Sequence, residues 1–152
     1  MGAFYSLLQV ALPHMAADRG ASVIVSSSVE GYFTQQSILP YAVSKAALRA
    51  LVQALAPDLL ATKGIRVNGV APGPIWTPLI VQSFPGEPEQ KRDTGGAGAV
   101  SHSIASHGAS YPIARAGQPA EVAPAYVLLA DPAAASYVAG EVLAVTGGKP
   151  TA

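Results

Sequence analysis

A parallel α/β fold is predicted for this chain by three observations. Two short β-branched runs, Ala21 to Ser28 and Ile65 to Ala71, are apolar on both faces, as buried parallel strands are. The segments around them carry apolar residues at helical spacing. Helix and strand then alternate to the end of the chain, the order in which parallel sheets are wound.

The elements follow in order. From Gly2 to Ala17, Phe4, Leu7, Leu8, Ala11, Leu12 and Met15 share one helical face, with a bend expected at Pro13. Ala21 to Ser28 (ASVIVSSS) reads as the first strand, bounded by Gly20 and a polar stretch. A loop through Gly31 and Pro40 leads to the longest helix, Tyr41 to Lys63, in which Leu48, Leu51, Val52, Leu55 and Leu59 recur at intervals of three and four. Gly64 supplies its stop, and Pro57 inside it is expected to cost up to about 3 kcal/mol or to kink the last turns. Ile65 to Ala71 (IRVNGVA) is the second strand, ended by Pro72, Gly73 and Pro74. Residues 83–111, rich in Gly, Ser and charge without a period, read as a flexible insert or substrate lid. Pro119 and Glu121 open a helix through Ala130, and Glu141 to Thr146 (EVLAVT) forms a third strand before Gly147 and Gly148. The 152 residues suit one domain, and an apolar content of 50% provides for a core.

Composition narrows the function. Net charge is zero, only 12% of residues are charged, and no basic run exists to neutralise a phosphate backbone, so nucleic acid is not an expected partner. There is no cysteine, which removes disulfides and thiolate catalysis, and His14, His102 and His107 are not spaced as a metal-ligand set. The apolar stretches break well short of the roughly 20 residues of a bilayer-spanning helix. With no secretory leader at MGAFYSLLQVALPHM, the expectation is a soluble, cytoplasmic protein. A surface poor in charge favours a partner subunit.

The residues that carry chemistry sit around the first strand and the long helix. Tyr41 and Lys45, in YAVSK, are four apart at a helix start, so phenol and ammonium share one face. A phenol, with an ordinary pKa of about 10, is a poor proton relay at neutral pH, and a neighbouring cation and a helix N-terminus both favour its phenolate. By itself such a pair is commonly a solvated helix face. Here it is accompanied by Ser28, expected at the carboxyl end of a strand, where ligands of parallel sheets collect. The second strand ends in a tight turn, Pro72, Gly73, Pro74, Ile75, Trp76, Thr77 and Pro78, that exposes backbone amides to a flat polar ligand. Ser26 and Ser27 are expected to be structural.

Ser28, Tyr41 thirteen residues on, Lys45 and then RVNGVAPGPIWTP resemble, in order and spacing, the short-chain dehydrogenase/reductase family. The likeness extends over LPHM, SVIVSSS, YAVSKAAL, RAGQPAEVA and GEVLAVTGG, and fails only over about Ser83 to Tyr111. It is strongest to bacterial members resembling general-stress or aldehyde-reducing oxidoreductases. The resemblance implies the C-terminal half of a Rossmann-like doubly wound sheet, about three parallel strands with flanking helices, in a single partial domain. It also implies hydride transfer between NAD or NADP and a small carbonyl or alcohol substrate. In that scheme Tyr41 is the acid or base, Ser28 polarises the carbonyl oxygen, and Lys45 assists Tyr41 and meets the nicotinamide ribose. Pro72 and Gly73 shape the cofactor turn, Ile75 backbone groups meet the carboxamide, and Thr77 the pyrophosphate side. A homo-oligomer is implied as well.

The family's glycine-rich phosphate turn lies upstream of the part resembled here, and the residue choosing between NAD and NADP lies there too, so preference is not legible and cofactor binding is expected to be impaired. A supporting Asn in the first helix is likewise expected just before Met1. TGGAGAVS, Thr94 to Ser101, follows no strand and is read as loop. With no strand beside it, SVIVSSS would be an open apolar edge. The alternative reading is a truncated, non-catalytic interaction or pseudo-enzyme fragment that oligomerises through the helices Gly2 to Ala17 and Tyr41 to Lys63 without binding cofactor. A serine hydrolase is a distant third, because no G-x-S-x-G elbow exists.

Overall fold

A computed structural model describes residues 2–15, 20–33, 36–83 and 107–151. Their elements are α1 (Gly2–Ala11), β1 (Ser22–Ser26), α2 (Leu39–Lys63), β2 (Arg66–Pro72), α3 (Pro78–Ser83), α4 (Pro119–Ala130) and β3 (Val142–Val145). Short 3₁₀ turns occur at Leu12–His14, Val29–Gly31 and Gln36–Ile38. The central part of the expected insert, 84–106, lies outside the described residues, as do Thr94 to Ser101 and His102. Among the described residues no helix is long and apolar enough to cross a membrane.

The sheet has three parallel strands in the order β1-β2-β3, with Ser22 to Ser26 beside Arg66 to Val70, and Gly69 to Pro72 beside Val142 to Val145. Alternation along the strands sends side chains to two opposite layers. Val25, Val67, Ala71 and Val142 meet Val52, Ala56 and Leu59 of α2, with Phe4, Leu12 and Met15 of the α1 region packed against them. Val70, Ile24, Leu143 and Val145 meet Val122, Ala125 and Leu129 of α4. A parallel sheet covered on both faces is the expected architecture, and β2, the middle strand, is buried along almost its whole length.

Several boundaries differ from the sequence reading, each for a local reason. The first α-helix stops at Ala11, and Pro13, which has no N–H to continue it, sits in a 3₁₀ turn; the rest of the expected span, Ala16 and Ala17, lies outside the described residues. The long helix starts earlier, at Leu39, because Pro40 fits a first turn whose N–H groups need no helical partner. It runs unbroken through Pro57, since burial of Ala56 and Leu59 on either side holds the last turns to the sheet. At its end Gly64 takes a left-handed φ of 65°, and the N–H groups of Gly64 and Ile65 donate to the carbonyls of Leu60 and Leu59.

Two buried polar side chains tie the layers together. The Arg66 guanidinium, 4% exposed, donates to the carbonyls of Leu129 (2.8 Å) and Ala130 (3.4 Å), where α4 ends and its unpaired carbonyls carry negative partial charge. Asn68, fully buried, donates from Nδ2 to the Val138 carbonyl (2.8 Å) and accepts from the Glu141 N–H (3.1 Å), fixing the entry to β3. Asn68→Leu keeps the volume but strands both backbone groups. It should destabilise the protein by about 2 kcal/mol, read from urea unfolding, with the loss concentrated in the 138–145 segment by hydrogen exchange.

Candidate active site

The site begins where β1 stops. The strand does not continue to Ser28 as expected: it ends at Ser26, and Ser28, in extended conformation (φ −162°, ψ 157°), caps the Val29–Gly31 turn. Its Oγ accepts from the Glu30 N–H at 3.2 Å, and such local side-chain bonds compete with a strand ladder. Ser28 is nonetheless held just beyond the carboxyl end of the strand and is nearly buried.

Three contacts lash this turn to α2. Ser27 Oγ donates to the Lys45 carbonyl (2.9 Å), Arg49 donates to the Gly31 carbonyl (2.8 Å), and Gly31 itself lies so close to α2 that a Cβ there would stand 2.9 Å from the Lys45 carbonyl carbon. Arg49 also stacks on the Tyr32 ring, 3.6 Å from its centroid. Lys45, one turn earlier on the same helix face, sends its ammonium to the Ser26 carbonyl (2.9 Å) and lies 5.6 Å from the centroid of the Tyr41 ring. Tyr41, in the first turn of α2, remains 45% exposed, so its phenol is open to a ligand. Ser28, Tyr41 and Lys45 therefore share one end of the sheet. Ser26 and Ser27 have the structural tasks expected of them, Ser26 Oγ being hydrogen-bonded to the Tyr126 hydroxyl at 2.8 Å.

Burial lowers the pKa of Lys45 below the ordinary lysine range. The sign follows: folding disfavours the ammonium, so the full cost to stability is present below the lowered value, falls as pH rises through it, and is gone only once pH passes the ordinary lysine range. The ¹³Cε resonance of Lys45 should accordingly titrate below the ordinary lysine range in the folded protein and return to that range in urea.

The adjoining strand supplies the second half of the site. Pro72 closes β2, and the Gly73 N–H donates to the Val145 carbonyl (2.9 Å), where a side chain would press on the Thr146 backbone at 3.1 Å. Beyond it Ile75 pairs with Gly117 through the Pro74 carbonyl and the Trp76 N–H, which leaves the backbone groups of Ile75 itself on the opposite side of the chain. Thr77 precedes α3. Gly73, Pro74, Ile75, Ile113, Arg115, Gly117, Thr146 and Gly147 line a cavity of about 230 Å³ at the ends of β2 and β3. One wall is braced by a bidentate pair in which both Arg115 nitrogens lie 2.8 Å from the Glu121 carboxylate. Those bonds and a third from the Gln118 N–H hold the Glu121 pKa down to about 2.

Two features here suit a polar ligand: backbone groups of Ile75 turned away from the bridge, and a lysine with donors beyond the one that meets Ser26. Sequence reasoning missed Gly31 and Arg49, which hold Ser28 against α2. Arg49 was within reach, because it lies four residues beyond Lys45 on the same helical face. Among the described residues no cluster of His, Asp and Glu could hold a metal ion.

A three-stranded parallel sheet covered by helices on both faces, with Ser28, Tyr41 and Lys45 at one end, is an α/β architecture of the Rossmann-like kind. The comparisons give the family: the profile described as "Enoyl-(Acyl carrier protein) reductase" matches residues 1–149, and the chain belongs to the short-chain dehydrogenase/reductase family, corresponding to its C-terminal portion. It is 46% identical over 145 residues to the NADPH-dependent aldehyde reductase 1, chloroplastic, of Arabidopsis thaliana, covering 95% of this chain and 44% of that protein. To the glucose and ribitol dehydrogenase homolog 2 of the same plant it is 42% identical over 144 residues, covering 95% of this chain and 44% of that protein. Among solved structures, the aldohexose dehydrogenase of Thermoplasma acidophilum superposes with a TM-score of 0.77 at 31% identity, covering 95% of this chain and 54% of that one. A 7α-hydroxysteroid dehydrogenase complexed with NADH and 7-oxo glycochenodeoxycholic acid gives 0.75 at 33% identity, covering 100% and 53%. The chain thus spans a little under half the length of the curated relatives it matches.

Proposed function

We infer that the chain carries the carbonyl-reducing and alcohol-oxidising half of a nicotinamide-dependent oxidoreductase, with Tyr41 as the acid or base. The observation that supports this reading is that the turn carrying Ser28, just beyond the end of β1, is fastened by Ser27 and Gly31 to the helix that bears Tyr41 and Lys45. When bound, NAD(P)H supplies the hydride. Ser28 Oγ orients the substrate oxygen, and the Tyr41 hydroxyl gives that oxygen a proton on reduction and takes it back on oxidation. Lys45 keeps a positive charge beside the phenol and offers a donor to the ribose. Pro72 and Gly73 would shape the turn that holds the nicotinamide, Ile75 backbone groups would meet its carboxamide, and Thr77 would serve the pyrophosphate side. The relatives named for aldehydes, glucose and ribitol support a small carbonyl or alcohol substrate, and a relative named for NADPH and a structure holding NADH leave both cofactors in play.

The test is direct. The chain is incubated with NADPH or NADH deuterated at the nicotinamide C4 and a panel of aldehydes and ketones. Deuterium on the product carbinol carbon supports the reading; its absence throughout the panel argues against it. A second reading, a non-catalytic chain that associates through its helices, draws on the exposure of Leu7 (67%) and Val10 (69%) on α1 and Val43 (56%) on α2. Oligomers by light scattering, together with no response to either nucleotide in fluorescence titration, would favour it.

A further inference from the structure

Lys45 rests on a carbonyl that the sheet does not hold. β1 is an outer strand, and among the described residues no strand lies on its other side. Its bonds to β2 alternate: the Ser27 N–H donates to the Val70 carbonyl at 2.8 Å, so Ser26, directly opposite Val70, sends its own N–H and C=O away from β2. The ladder thus leaves the Ser26 carbonyl to the Lys45 ammonium, which donates to it at 2.9 Å. Whatever fixes that carbonyl also fixes Lys45, whose ammonium lies 5.6 Å from the centroid of the Tyr41 ring.

The fixing comes from the opposite face of the sheet. Side chains at 22, 24 and 26 point toward α4. Ser22 Oγ donates to the Leu129 carbonyl at 3.1 Å, Ile24 packs against the cluster of Val70, Val122 and Leu129, and Ser26 Oγ shares a hydrogen bond of 2.8 Å with the Tyr126 hydroxyl. The Tyr126 ring is packed against the same cluster, which makes its phenol a fixed point. Ser26, by contrast, is exposed and is the last residue of β1. One bond between two hydroxyls therefore joins a ring anchored in the core to the residue whose carbonyl carries the lysine.

We propose that Tyr126 is a positioning residue for Lys45: through the Ser26 hydroxyl it holds the carbonyl on which the ammonium rests, and so sets the ammonium's place beside the Tyr41 ring. Tyr126 acts from the α4 layer, across the sheet from α2, and takes no part in the chemistry itself. Its consequence for hydride transfer rests on the oxidoreductase reading; the placement of Lys45 does not.

The first readout accordingly needs neither cofactor nor substrate. In the ¹³C-labelled chain, the order parameter of the Lys45 Cε–H bonds reports how firmly the ammonium is held. Tyr126→Phe, which keeps the ring, and Ser26→Ala should each lower it by about a third, the difference between a held and a flexible group. The double substitution should do no more than either alone, because both hydroxyls act through one bond. Ser26→Thr, which keeps a hydroxyl, should retain the parent value. Ser22→Ala removes the other tie between β1 and α4 and should leave Lys45 as it is. Where Tyr126→Phe fails to give a folded spectrum, Ser26→Ala tests the same bond from its other end. The proposal is overturned by a parent Lys45 as mobile as an exposed lysine, by unchanged values in the folded variants, by additive losses in the double variant, or by an equal loss in Ser22→Ala. The second readout is deuterium transfer from the labelled nucleotide, which Tyr126→Phe should slow about three- to tenfold. Transfer at the parent rate despite a loosened Lys45 overturns the part given to Tyr126 in the reaction. A Lys45 loosened as expected, in a protein whose parent transfers no deuterium, retains the positioning and removes the redox reading.

Discussion

Tyr41→Phe should lower the proposed carbonyl reduction by about 10²- to 10⁴-fold, the range in which a positioned proton donor acts, while leaving thermal stability unchanged. The phenylalanine keeps the ring that Lys45 approaches at 5.6 Å and removes only the oxygen that would carry the proton. Among the described residues no hydrogen bond is made to that oxygen. The ring is 45% exposed, and the neighbouring side-chain bond, from Ser44 Oγ at 2.7 Å, goes to the backbone carbonyl of Tyr41 rather than to its phenol. The loss should fall on kcat and kcat/KM together, because the proton moves only as the oxygen gains charge in the transition state. A rise in KM with kcat preserved would mean that Tyr41 merely binds substrate, and activity near that of the parent protein would remove it from the mechanism.

The sequence reading captured the layers because each rests on a local pattern. Pro119 at the first helical position and Glu121 two residues later mark α4, whose observed span, Pro119 to Ala130, equals the expected one. β2 is legible for the same kind of reason, a β-branched run ended by Pro-Gly-Pro. Boundaries failed where a side chain competes with the backbone. Ser28 looks like a strand residue by composition, yet its hydroxyl accepts the Glu30 N–H and turns the chain two residues after β1 has ended. Pro40 reads as loop and Pro57 as a kink; the first suits a helix's opening turn, and the second is overridden by the packing of Ala56 and Leu59. Tyr41 and Lys45 were legible because helical spacing alone places them together. The tie from Tyr126 through Ser26 to Lys45 was not, since it joins residues 100 and 19 apart in sequence that meet only once the sheet has closed.

Gly31→Ala should both destabilise the protein, by about 1–3 kcal/mol, and impair the site beyond what that loss explains. The methyl carbon would stand 2.9 Å from the Lys45 carbonyl carbon and 3.0 Å from the Ala46 nitrogen and the Lys45 oxygen. All three atoms belong to the backbone of α2, so no rotamer change relieves the clash, and the turn itself must retreat from the helix. Its retreat cannot spare Ser28, because the Gly31 N–H donates to the Ser28 carbonyl at 3.0 Å and the Gly31 carbonyl receives Arg49. The serine hydroxyl would move away from the helix that carries Tyr41 and Lys45, and misplacement on the scale of an ångström is costly to a reaction that depends on alignment. Gly2→Ala provides the control: no heavy atom lies within 4 Å of its added carbon, and it should leave both unfolding and turnover as they are. Urea unfolding, turnover measured below the transition, and the amide shifts of Ser28 and Glu30 separate the two effects. If Gly31→Ala unfolds at the parent midpoint with those amides unmoved, the close approach of the turn to α2 is not what positions Ser28.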